Sequence, residues 1–187
     1  MEHELAQSSV EVAQRLLGSW LVREQDGELM VGSIVETEAY DRTDAASHSF
    51  KGKTPRTEVL FGPSGQAYVY FTYGMHYCMN VVTGKEGEGS AVLIRALEPI
   101  QGLERMRRNR PHVSDQQLLN GPAKLCQALH INRQQNGHDL QKPPLQLVLQ
   151  SPLPPTKIVQ TTRVGITRDT HRPWRFYIRD SPFISRP

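Results

Sequence analysis

Residues 66–83 read QAYVYFTYGMHYCMNVVT. β-Branched and aromatic residues crowd both arms and Tyr73-Gly74-Met75-His76 supplies a turn between them, so the stretch predicts an antiparallel hairpin. Tyr68 and Tyr70 share one of its faces and Tyr73 stands at its tip. Toward the N-terminus, Asp26-Gly27 divides Leu21–Glu24 from Met30–Tyr40 and marks a second hairpin. Ahead of that, Ser8-Ser9-Val10-Glu11 fits a capping box for a helix with the stripe Val12, Ala13, Leu16 and Leu17, ending at Gly18. Residues 41–66, rich in Gly, Ser, Thr, Pro and charge, read as a long surface loop of the kind that carries function. Toward the C-terminus come a Gly-rich loop at 84–89, a strand over Ala91–Leu97, and a helix start at Glu98-Pro99 with Ile100, Leu103 and Met106 buried and the arginines outward. Two helical pieces follow, Ser114–Leu119 and Pro122–Leu129, split by Asn120-Gly121. Leu145, Leu147 and Leu149 alternate as a strand, and Ile158–Thr162 and Arg175–Arg179 are later strands. Hairpins, then helices, then strands imply a mixed α+β domain rather than regular βαβ winding.

Composition narrows the classes. At 187 residues, with 37% hydrophobic and 22% charged residues, the chain is sized for one domain with a sizeable core, and is not disordered or fibrous. The longest apolar run is five residues, Ala67 to Phe71, against the ~18 that a membrane span needs. The opening MEHELAQSSVEV has no basic-then-apolar pattern, and Cys78 and Cys126 stand too far apart for a disulfide framework or zinc knuckle. These features lead us to expect a reducing cytoplasm. Residues 1–40 hold two arginines against eight acids, a balance of −6, leaving +9 on residues 41–187 (20 cations against 11 acids). ERMRRNR (104–110) and Arg163, Arg168, Arg172, Arg175 and Arg179 concentrate the positive charge, which reads either as a polyanion-facing surface or as ordinary solvated faces.

The candidate chemistry starts at Glu38. It shares a strand face with Tyr40, about 7 Å away at strand rise, so a carboxylate able to activate water stands beside an aromatic plate. The plainer alternative is a solvent-facing acid beside an amphipathic tyrosine. Tyr73, followed by Gly74 and Met75 at a hairpin tip, is hard to bury and could serve as a wedge pushed into a duplex. Asn80 and Arg95 follow on neighbouring strands. Seven histidines are scattered without metal spacing, and no P-loop, dinucleotide fingerprint or nucleophile elbow occurs, so we expect no metal and no cofactor.

Five blocks in order, ETEAY (36–40), YVYFTYGMHYCMN (68–80), LIRALEP (93–99), GPAKLCQAL (121–129) and RFYIRDSP (175–182), resemble the alkyladenine DNA glycosylase family, also called the 3-methyladenine or methylpurine DNA glycosylases. The likeness runs from about residue 16 to the end. It implies a single α+β domain over residues 1–187, built on a curved antiparallel sheet with surrounding helices and a protruding β-hairpin that inserts into the DNA minor groove. By the same resemblance Glu38 is the general base, Tyr40, His48 and Tyr70 form the base pocket with Asn80, Tyr73 intercalates, and Arg95 lies near the attacking water. The long segment that precedes this domain in some members is missing.

What the resemblance implies is base excision: a monomeric, monofunctional enzyme, cytoplasmic or nucleoid-associated, that flips alkylated or deaminated purines from double-stranded DNA and hydrolyses the N-glycosidic bond. Two readings from another class stand beside it. One is a non-catalytic module that binds or bends DNA with the tyrosine hairpin and the arginines. The other is an RNA binder using the same aromatics as a stacking platform. Glu38 discriminates, because a pure binder gains nothing from a carboxylate in an anion-binding pocket.

Overall fold

Asp26 and Gly27 both take left-handed backbone angles, φ 53° and 77°, the twist that a two-residue hairpin turn requires. They join β1 (Trp20–Gln25) to β2 (Glu28–Tyr40), a 13-residue strand on which the sheet is organised. The computed structural model describes residues 2–186. Along one edge β2 pairs with β5 (Ser90–Gln101); along the other it pairs first with β1 and then with β8 (Arg175–Ile178). Beyond β5 lie β4 (His76–Thr83) and β3 (Ala67–Thr72), antiparallel to each other through Tyr73-Gly74-Met75. β6 (Leu145–Val148) extends β1, and β7 (Ile158–Thr161) extends β8. The described strands thus make one antiparallel, curled sheet of eight.

Helices cover one face of this sheet. The short α1 (Glu2–Leu5), which the sequence reading leaves out, precedes α2 (Ser9–Arg15). The capping box forms as expected: the Glu11 backbone N–H donates to Ser8 Oγ at 3.3 Å, and the Ser8 N–H donates to the Glu11 carboxylate at 3.2 Å. Val12, Ala13, Leu16 and Leu17 then meet Ile34, Ala39, Ile94 and Phe176 in the main core. α3 (Leu103–Asn109), α4 (Asp115–Leu118) and α5 (Pro122–Ala128) close it with Met106, Leu118, Leu125 and Leu129. A smaller cluster of Leu60, Tyr68, Val82 and Ala91 lies apart from it, with Tyr70 packed alongside.

The helix expected to start at Glu98-Pro99 does not. β5 continues to Gln101, paired with Val31, and α3 begins only at Leu103. Pro99 is tolerated because β4 reaches no further than Leu93 on the other edge of β5, so no ladder bond is lost there. The chain turns instead at Gly102, whose φ is 79° and where a Cβ would sit 2.3 Å from the Leu29 carbonyl oxygen. Ile100, expected to be buried, is 51% exposed. The strand over 158–162 ends at Thr161, and the loop over 41–66 contains one short 3₁₀ turn, Glu58–Phe61.

Three register shifts lie in the β2–β5 ladder: the first, between Val31 and Gly32, passes over Ile100, and the other two lie beside Glu36. Ile34 faces Leu97 and Glu36 faces Ala96, so Val35 has no cross-strand partner; Thr37 then faces Ile94, leaving Arg95 without one. Such an extra residue bends the strand and re-aims side chains. The core-facing positions of β2 accordingly change from even numbers (Met30, Ile34) to odd ones: Ala39 is in the core and the Thr37 hydroxyl donates to the Ala13 carbonyl at 2.8 Å.

Phe176 is wholly buried where β8 meets β2. Phe176→Ala is expected to destabilise the fold by about 3–5 kcal/mol, read as a lower urea midpoint at unchanged slope.

Candidate active site

On the sheet face opposite the helices, β2 to β5 alternate so that Tyr40, Tyr68, Tyr70, Cys78, Asn80, Ala91, Leu93 and Arg95 point the same way. Two loops wall the space above them, one with Ala46, Ser47 and His48, the other with Val164, Gly165 and Ile166. The resulting cavity is about 330 Å³, within the range of small-molecule sites.

Its aromatic wall is a connected unit. Tyr68 stacks on Tyr70 with centroids 5.5 Å apart, and the His48 ring meets Tyr70 edge-on at 4.5 Å. His48 Nδ1 lies 3.0 Å from the Tyr68 hydroxyl. Packing that strips water from the imidazole, with Arg56 nearby, pushes the His48 pKa down and favours a neutral ring. Burial raises the phenols of Tyr70 and Tyr40 well above their ordinary range, Tyr40 further through the Glu38 charge. Both are therefore hydroxyl donors at any working pH. Burial likewise pushes up the Cys78 thiol, which is not a thiolate nucleophile here. Asn80 is fixed by donating to the carbonyl of its cross-strand neighbour Tyr68 at 3.2 Å.

Glu38 lies one layer beneath the cavity. It is completely buried and does not itself line the space, but each of its hydrogen-bond partners does. The Tyr40 hydroxyl donates to Oε2 at 2.8 Å, Arg95 Nη1 to the same oxygen at 3.3 Å, and the Val164 backbone N–H to Oε1 at 2.6 Å. Arg95 reaches the acid because it follows Ala91 and Leu93 on the pocket face of β5, at a bulge where no β2 residue stands opposite it. Burial works against its charge, yet Glu38 and Glu36 outweigh that and raise its pKa, keeping it a cation.

The platform behind Tyr40 is also charged. The Arg163 guanidinium covers one face of the ring, 4.6 Å from its centroid, and donates to the Ala39 carbonyl at 3.0 Å. It is paired through both Nη atoms with Asp44, both side chains being wholly buried. At the other extreme Tyr73, held at φ 51° in the β3–β4 turn, is 85% exposed on the cavity rim.

The structure thus gathers Tyr40, His48, Tyr70, Tyr73, Asn80 and Arg95 around one space and sets Glu38 directly behind it. Sequence reasoning missed Asp44, the cation–π role of Arg163 and the Val164 N–H. A backbone donor has no signature in residue type, and the loop that supplies it lies 126 positions from Glu38. Tyr68, read only as sharing a face with Tyr70, is a full pocket wall. The arginine clusters do not form the free basic surface that charge asymmetry suggested. Arg105 pairs with Asp26 and Glu28, Arg108 with Glu28, and Arg107 with Glu104 and Asp115, while Arg175 is buried on Glu36. Among the described residues, the exposed cations without an ion pair on the two loops that wall the cavity are Arg42, Lys51, Lys53 and Arg56 on the His48 loop and Arg168 two positions after Ile166.

A buried acid with a phenol, a guanidinium and an amide converging on it, behind a cavity of aromatic faces, is an arrangement that can move a proton beside a stacked flat ring. Comparison with known sequences gives the family. The model of the methylpurine-DNA glycosylases matches residues 3–182, and the chain belongs to that family. It is 51% identical over 176 residues to a protein of Carboxydothermus hydrogenoformans, covering 94% of this chain and 92% of the relative. It is 50% identical to one of Methanoculleus marisnigri, covering 95% and 94%, and 44% identical to one of Francisella tularensis, covering 100% and 98%. All three are named as 3-methyladenine DNA glycosylases.

Removing one member of the buried Asp44–Arg163 pair strands the other. Arg163→Ala is expected to cost about 3–5 kcal/mol, and Asp44→Asn combined with Arg163→Met to recover much of that loss, measured by chemical denaturation.

Proposed function

We propose that the chain is a base-excision DNA glycosylase that takes alkylated or deaminated purines out of duplex DNA and hydrolyses the N-glycosidic bond, with Glu38 as the general base. Family membership and the names of the relatives support a DNA glycosylase for alkylated bases. The observation that carries the mechanism is the placing of Glu38, a wholly buried carboxylate whose three donors all line the cavity.

A base inside a duplex exposes no route to its glycosidic carbon, so it is first extruded, at a cost of a few kcal/mol that is smaller for damaged pairs. Tyr73 fills the gap. The extruded ring lies between Tyr40 and His48 with Tyr70 along its edge and Asn80 below. Glu38 Oε2 already accepts two hydrogen bonds and Oε1 one, which leaves an acceptor position on Oε1, on the Val164 side, for a water molecule. As that water attacks C1′, its proton passes to Glu38, the new C1′–O bond forms, and the C1′–N bond breaks with its electron pair leaving on the purine. The carboxylate also stabilises positive charge developing on the sugar. A cationic alkylpurine departs as a neutral base and needs no acid, and its charge suits the tyrosine faces. Among the described residues no lysine lines the cavity, in keeping with water as nucleophile and no strand cleavage. Lys51, Lys53, Arg56 and Arg168 supply phosphate contacts, and the enzyme acts as a monomer in the cytoplasm or at the nucleoid. Among the described residues no helix is long and apolar enough to cross a membrane.

The rival, a module that only binds or bends DNA, separates on one variant. Glu38→Gln is expected to lower single-turnover base release by at least ~10²-fold while affinity for lesion duplex stays level or rises. Release close to that of the unmodified protein removes Glu38 from the reaction; no release by the unmodified protein on any alkylpurine duplex leaves the binding module.

Tyr73→Ala tests the wedge. At 85% exposure the ring contributes little to the fold, so the melting temperature should not move. Single-turnover release should fall in proportion to lost stacking of ~1–3 kcal/mol, more on fully paired lesions than on single strands. Equal losses on both substrates would return Tyr73 to a surface residue.

A further inference from the structure

Arg95 has three donor nitrogens that the structure accounts for separately. Nε goes to Glu36 Oε1 at 3.0 Å, Nη1 to Glu38 Oε2 at 3.3 Å, and Nη2 to the Ser185 hydroxyl at 3.1 Å. That hydroxyl in turn donates to Glu36 Oε1 at 2.8 Å, and the Ser185 backbone N–H donates to Glu36 Oε2. Arg175, from β8, closes the arrangement by donating from Nε to Glu36 Oε1 at 2.7 Å and from Nη2 to the Arg186 carbonyl. Ser185 follows β8 on a segment with no regular structure, 90 positions from Arg95 and 149 from Glu36. None of these contacts is needed to form the sheet, whose ladders end at Ile178.

We propose that the C-terminal segment is part of the catalytic apparatus, with Ser185 a positioning residue that fixes the Arg95 guanidinium against Glu38. The proposal rests on the reading of Glu38 as general base. A guanidinium is planar, so fixing Nε and Nη2 through Glu36 and Ser185 fixes the plane in which Nη1 meets Glu38. With Ser185 Oγ absent, only the Glu36 contact at Nε orients the group, which can then rotate out of that plane. The same loss frees one acceptor site on Glu36, which then competes for Arg95 and draws it away from Glu38. The interaction that matters for charge development next to the sugar weakens, while the aromatic walls that hold the base are untouched. Ser185 is only partly buried, and among the described residues Arg95 is the one wall residue of the cavity to which it is hydrogen-bonded, so its effect on binding should be small.

The experiment is single-turnover base release and equilibrium binding on one alkylpurine-containing duplex, with the full chain. Ser185→Ala is expected to lower the release rate about tenfold, one step of 1.36 kcal/mol in barrier, with lesion-duplex affinity and melting temperature close to the starting protein. Ser185→Thr, which keeps the hydroxyl, is expected to restore most of the rate. Combined with Arg95→Ala, Ser185→Ala should add nothing, because the residue it orients is gone. An undiminished rate for Ser185→Ala, equal losses with alanine and threonine, or additive losses in the Arg95→Ala background would each overturn the proposal. Glu38→Gln in the same assay keeps the two readings apart. If it abolishes release while Ser185→Ala leaves the rate undiminished, Glu38 stands and the positioning role falls; if it has no effect, the underlying mechanism falls first.

Discussion

Two carboxylates two residues apart on one strand, both wholly withdrawn from water, set the terms for the rest of the molecule. Burying one such charge alone costs several kcal/mol, and two together repel as well. Glu36 and Glu38 are tolerable because Arg95 stands between them and Arg175 takes the far side of Glu36. That requirement explains local features with no other evident cause. β5 must present Arg95 to β2, and it does so on the face shared with Ala91 and Leu93, at a bulge that leaves this residue out of the ladder. β8 must run alongside the end of β2, since Arg175 sits opposite Glu38 in register and reaches Glu36 from there. The segment after β8 must fold back, because Glu36 still has acceptor capacity that Ser185 satisfies.

The two acids nevertheless differ in what they can do. Glu36 accepts four hydrogen bonds, three of them on Oε1. It has little capacity left for a water molecule and serves as the anchor of the cations. Glu38 accepts three, every one from a residue that borders the cavity. Spacing alone presents the pair as equivalent members of one strand face. Their surroundings differ in which elements cover them: β8 and the C-terminal segment close over Glu36, while Tyr40, Arg95 and Val164, the groups that cover Glu38, border the cavity.

The same pairing resolves the charge asymmetry along the chain. The acids that dominate residues 1–40 are partners for arginines that come later: Asp26 and Glu28 for Arg105 and Arg108, Glu36 for Arg95 and Arg175, Glu38 for Arg95. An excess of cations in the later sequence therefore reported chain folding against itself as much as a polyanionic partner. Elements whose cause is local were legible: the Asp26-Gly27 turn, the Ser8 capping box and the Asn120-Gly121 break between α4 and α5 all follow from residues within four positions of one another. The bulges at Val35 and Arg95 were not, because a bulge shifts the parity of a strand without changing its composition. Nor was the strand through Pro99, whose proline reads as a helix start until one knows that β4 stops short of it. Within the site, side chains with distinctive chemistry could be named in advance, whereas Asp44, the Val164 amide and Ser185 are of types found in any loop.

The site is divided between strands and loops, and in the proposed reaction this separates two tasks. The acid, the phenol and the guanidinium that contacts it stand on the central strands β2 and β5, braced by buried ion pairs. His48, the Val164–Ile166 wall and Tyr73 stand on loops or on a hairpin turn. Strands cross-linked on both edges hold a geometry to fractions of an ångström, as the general-base role proposed for Glu38 demands. Loops can yield to a bent duplex or to purines of different shape without disturbing that geometry. The exposed cations Lys51, Lys53, Arg56 and Arg168 ride on the same two loops. In the proposed reaction, contact with phosphates would act first on these loop walls and only afterwards, through Val164, on Glu38. In that reaction recognition falls to loops and chemistry to strands around one cavity, and Val164, which donates to Glu38, is the point at which the two meet.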